Sequence, residues 1–162
     1  MKNIIRICAL LSALLCALSL CACDTTPPQS SGYAFKSGEV SFTVGDDADA
    51  VVSRLGEYVS YSESPSCGGG AEPDKTYTYS GFKFDTINTG GKNVIVKIVL
   101  LDDSVSTPEG ITIGSSKDEV IGAYGEGYTE ASGGALTYTD EKCALMIAFK
   151  DSAVSAIHYV EK

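Results

Sequence analysis

Few residues of this 162-residue chain have types and spacing able to do chemistry: six cysteines, one histidine, and an excess of 21 acidic over 12 basic side chains. Cys8, Cys16, Cys21 and Cys23 crowd the N-terminus, which leaves Cys67 and Cys143 in the body of the sequence. An oxidising exterior permits a disulfide between these two. The other reading makes Cys143, on the apolar side of an alternating run, a buried thiol used as a small hydrophobe. No histidine lies near either thiol in sequence, and His158 alone cannot build a histidine-rich zinc site or find a G-x-S-x-G nucleophile to activate. Asp46-Asp47-Ala48-Asp49 lacks the spacing and the terminal Glu of an EF-hand, and helix capping accounts for its acids. Gly68-Gly69-Gly70 is followed by no Gly-Lys-Ser/Thr, so it reads as a loop tip rather than a phosphate cradle. The expectation is therefore a protein with no catalytic residues, no metal and no cofactor.

The N-terminal cysteines belong to a different chemistry. Lys2 and Arg6 precede an apolar run over residues 7–20, which is shorter than a membrane-spanning helix needs and ends in small residues. Leu20-Cys21-Ala22-Cys23 resembles a bacterial lipobox, in which the cysteine after a small residue is diacylated and becomes the new N-terminus. Ala22 suits the position before the modified residue and Leu20 does not, so the resemblance makes Cys23 the lipid anchor and residues 1–22 a signal peptide. It implies a cell-membrane lipoprotein on the extracytoplasmic face. Removing Lys2 and Arg6 leaves 10 basic against 21 acidic residues, a formal charge of −11. That charge argues against nucleic acid as a partner, because phosphates would be repelled.

Residues 23–38 read as a polar, proline-bearing tether, and residues 39–162 as one domain with room for a core. Within that domain, shifting the sequence by 69 aligns residues 42–57 with 111–126, with six of sixteen pairs identical, among them Thr43/Thr112, Gly45/Gly114, Val51/Val120 and Gly56/Gly125. Each copy predicts a short helix, over 47–55 and 116–124, capped at its start by Asp46 or Ser115 and stopped by Gly56 or Gly125. Period-two runs such as Cys143, Leu145, Ile147 and Phe149 then predict strands with one buried face. The expected class is α+β: two tandem helix-plus-antiparallel-meander repeats, over 40–103 and 109–162, forming one sheet with both short helices on one face.

Thr-hydrophobic-Gly, a helix with Val six residues beyond that glycine, a closing Gly and aromatic-rich strands together resemble the tandem repeat of the beta-lactamase inhibitor proteins. They are also similar to the single unit of the SmpA/OmlA outer-membrane lipoproteins. The resemblance implies a sheet that presents an open face to a protein, without catalysis. Tyrosine supports such a role, giving large contact area at low entropy cost, although β-propensity alone also places tyrosines in sheets. Tyr77, Tyr79 and Tyr138 are the expected binding residues, with the loop around Cys67 beside them. Aromatic contacts rimmed by acids favour a protein partner with a basic patch, met by a monomer. The alternative function is a lipoprotein that binds a small molecule or a peptidoglycan fragment.

Overall fold

The computed structural model describes residues 32–66 and 72–162. Its first element is a hairpin of β1 (Phe35–Ser37) and β2 (Val40–Phe42), followed by helix α1 (Ala48–Leu55). Four strands come next: β3 (Ser60–Ser64), β4 (Asp74–Tyr79), β5 (Phe82–Thr89) and β6 (Lys92–Leu100). Helix α2 (Lys117–Tyr124) then leads into β7 (Thr129–Glu130), β8 (Leu136–Thr139), β9 (Cys143–Lys150) and β10 (Ala153–Glu161). The last eight strands form one antiparallel sheet in the order β3-β4-β5-β6-β10-β9-β8-β7.

This architecture corrects the expected α+β pair of helix-plus-meander repeats. Among the described residues the fold is mostly β, with 47% strand against 13% helix, and two eight-residue helices are too short to form a layer of their own. Two features hidden from the periodicity account for the difference. Strand β3 is polar and exposed throughout, so it carries no alternation of burial. The β1–β2 hairpin starts inside the stretch expected to be tether, because Phe35 is fully buried, with its ring 4.9 Å from Phe82, 5.6 Å from Phe42 and 6.2 Å from Tyr159.

The helices form for local reasons. Asp47 caps α1 by accepting the N–H groups of Asp49 and Ala50, and Gly56 closes it at φ +81°, a conformation open to glycine at little cost. Ser116 and Glu119 make a reciprocal capping box on α2. The residues expected as caps, Asp46 and Ser115, sit one position earlier and instead accept the N–H groups of Thr43 (2.9 Å) and Thr112 (3.1 Å), tightening the turn that feeds each helix.

Cross-strand registry divides the sheet into two unlike faces. One row runs Tyr61, Tyr77, Phe84, Ile98, Tyr159, Leu145, Tyr138, and the next runs Tyr79, Phe82, Leu100, Ile157, Ile147, Leu136. From Tyr77 onward these residues are buried in one cluster with Phe35, Phe42, Val51 of α1 and Val120 of α2. The reverse face carries Thr78, Lys83, Val99, His158, Met146, Thr137 in one row and Thr76, Asp85, Lys97, Val160, Ala144, Thr139 in the other. These two rows contain no tyrosine or phenylalanine, so every aromatic contact of the sheet lies on the helix side.

Candidate functional site

The residues expected to bind a partner do not form an exposed surface. Tyr77, Tyr79 and Tyr138 are 7%, 8% and 1% exposed, and all three face the helices. They are drawn inward because each sits opposite a core residue, Phe84, Phe82 or Leu145, in the rows above. Tyr138 also donates its hydroxyl to the carbonyl of Gly125 at 3.0 Å, which ties β8 to the end of α2.

Where the aromatic row reaches the edge of the sheet it comes into the open. Tyr58 is 45% exposed, Val59 74% and Tyr61 39%, just before and on the outermost strand β3. The rings of Tyr58 and Tyr61 lie 5.9 Å apart and rest on Tyr77, at 5.6 and 5.0 Å. Buried tyrosines thus support exposed ones, a platform with a rigid base. Periodicity missed Tyr58 and Tyr61 as the exposed pair. The signal present was the run Ser60-Tyr61-Ser62-Glu63-Ser64, whose lack of apolar partners marks a sheet edge.

Acidic groups border the platform. The Tyr61 hydroxyl donates to Oε1 of Glu63, and burial followed by this bond raises its pKa above the ordinary phenol value. Burial, then the charge of Asp49, raises that of Tyr77, with Tyr58 and Glu63 adding to the shift. Asp49 is fixed on α1 by Asn93, whose Nδ2 donates to its two oxygens at 3.1 and 3.0 Å. The hydroxyl of Tyr79 is buried with no hydrogen-bond partner, and its ring lies 6.5 Å from that of Tyr58.

The remaining candidates lie elsewhere. His158 sits on the reverse face between Val99 and Met146, where burial, then Lys97 and Lys83, lowers its pKa against the opposing pull of Asp85. Cys143 is buried on β9, and burial followed by the charge of Asp140 pushes its thiol pKa up to about 11, which suppresses the thiolate. Cys67, its possible disulfide partner, and Cys23, the expected lipid site, fall outside the described residues. Among the described residues no group of three or more His, Cys, Asp or Glu could hold a metal ion, and no helix is long and apolar enough to cross a membrane.

A concavity of about 830 Å³ opens beside Tyr33, Thr43, Asp140, Lys142, Cys143 and Lys162. Several of its polar groups are engaged internally. Asp140 accepts the N–H groups of Tyr33 (2.6 Å), Lys142 (2.7 Å) and Cys143 (2.7 Å), and Lys162 Nζ donates to the Asp140 carbonyl at 3.0 Å. That arrangement fastens the segment before β1 to the β8–β9 turn.

No protein-family model matches the chain, and no curated protein matches it. Among solved structures, the fold is similar to that of an extracellular protein containing an SCP domain from Bacillus anthracis strain Ames, with a TM-score of 0.54 at 12% identity. The likeness covers 74% of this chain and 44% of that protein, so the chain spans less than half its neighbour's length and shares its fold alone.

Proposed function

We propose that the protein is a non-catalytic protein-binding module of an extracytoplasmic lipoprotein, anchored through Cys23 and reaching its partner with the edge of its sheet. The observation that carries this reading is the exposed step of Tyr58, Val59 and Tyr61, backed by buried aromatic rings and bordered by Asp49 and Glu63. Single exposed apolar residues are ordinary, but three close in sequence, on the outer strand and the two residues leading into it, form a patch of the kind that marks an interaction site. The bordering acids favour a basic partner patch. The motif likeness to the beta-lactamase inhibitor proteins and the SmpA/OmlA lipoproteins accords with binding, inhibition of an extracellular enzyme being its sharper form and envelope scaffolding its milder one.

A photoreactive phenylalanine analogue in place of Tyr61 tests the surface in cells of the source organism, with the same analogue in place of Met146 on the reverse face as comparison. The reading predicts a discrete adduct from position 61 and none from position 146. Equal labelling from both positions, or none from either, contradicts it.

A further inference from the structure

Strand β3 ends the sheet, and no described strand pairs with its outer edge. Its register with β4 is continuous over five residue pairs from Ser60↔Thr78 to Ser64↔Asp74, without a bulge. All five residues are exposed, and none is proline, lysine or arginine. Natural sheets protect such edges with charges (lysine above all), proline, bulges or shortening, and of these β3 has only the single charge of Glu63. The opposite edge is protected: β7 is two residues long, and its Glu130 is ion-paired with Lys117 at 3.2 Å. The two ends of one sheet therefore differ in the feature that decides whether a further strand can add.

Resting on the binding reading above, we propose that the partner enters as an extended basic segment that adds to β3 as a ninth strand. Its main chain pairs with the outer N–H and C=O groups of residues 60–64, which supply affinity without regard to sequence. Its alternate side chains supply selectivity. Those on the helix side lie along Tyr58 and Tyr61, where a lysine or arginine meets both the ring faces and the carboxylate of Glu63.

The test uses the full chain and three labelled peptides: seven alternating lysines and valines, the same peptide methylated on two consecutive central amides, and an alternating glutamate-valine peptide. Fluorescence anisotropy measures binding, and hydrogen exchange maps it. Strand addition predicts that the lysine peptide binds and slows exchange at amides within 60–64, with at least about tenfold weaker binding of the other two. Binding that survives methylation, or protection confined to other strands, overturns strand addition while leaving the aromatic edge as a binding surface. No binding by any peptide also overturns it, and if crosslinking at position 61 is blank as well, the binding reading falls with it.

Discussion

Asp140 offers the sharpest test of how the fold is fastened. One carboxylate oxygen accepts from Tyr33 N at 2.6 Å, across 107 residues of sequence, and the other accepts from Lys142 N and Cys143 N, both at 2.7 Å. Replacing Asp140 by alanine strips three backbone donors of an ionised acceptor. Each such bond is worth about 1 kcal/mol net where water can partly replace it, so the loss amounts to ~2–4 kcal/mol. For a domain of this size that lowers the melting temperature by roughly 8–15 °C. Asp140→Asn should cost about half as much, since the amide oxygen can keep Lys142 and Cys143 while its NH₂ faces the Tyr33 donor. The pH dependence has a definite sign. Burial alone would raise the Asp140 pKa, but the three N–H donors outweigh it, with Lys162 assisting, and the folded value is lowered. The carboxylate therefore contributes stability that is fully present above its unfolded pKa near 3.9 and is lost as pH falls through the lower folded value. Thermal unfolding monitored by circular dichroism from pH 7 to pH 2.5 checks both parts. An alanine variant melting within about 2 °C of the parent at pH 7, or retaining the parent's acid limb, refutes the reasoning.

Other perturbations have equally definite outcomes. Gly81 turns β4 into β5 at φ +81°, and a Cβ there would lie 2.5 Å from Ser104 Oγ and 2.8 Å from Val105 Cγ1, so Gly81→Ala should destabilise by ~2 kcal/mol or more in urea unfolding, with a cost below ~0.5 kcal/mol contradicting that packing. His158 titrates below its usual value in the fold, so its neutral form is preferred there. Stability should be complete above pH ~6.5 and decline as pH falls toward the folded pKa, a slope absent in His158→Gln, and proton NMR of this single histidine would show the lowered midpoint directly. Tyr138→Phe removes the bond to the Gly125 carbonyl and should cost about 1 kcal/mol, read by the same unfolding assay. Incorporation of a palmitate analogue should be abolished by Cys23→Ala, whereas labelling that survives the substitution would contradict the anchor.

What was legible in the sequence was whatever a short window can hold. Gly56 and Gly125 close both helices because a single residue sets that conformation, and Cys143, Leu145 and Ile147 face the core because alternation is local. The caps shifted by one residue because Asp46 and Asp47, or Ser115 and Ser116, are chemically equivalent until the turn bonds to Thr43 and Thr112 are known. Strand β1 was hidden because Tyr33-Ala34-Phe35 is a short apolar island in a polar stretch, and the burial of Phe35 depends on Phe82 and Tyr159, far along the chain. The binding residues were misplaced for the same reason. Tyr61 and Tyr77 are adjacent in one row, and which of them is exposed depends on β3 being the last strand, a property of the sheet order and not of either residue's neighbours.

The claim that the β3 edge is the binding surface is tested most directly by the affinity of the partner captured at position 61 for the parent chain and for the Tyr58→Ser/Tyr61→Ser variant. Each exposed ring covered by a partner is worth about 1 kcal/mol, so the double change should weaken binding roughly 30-fold at a temperature where the variant is fully folded. Unchanged affinity in a variant that still folds would contradict the account.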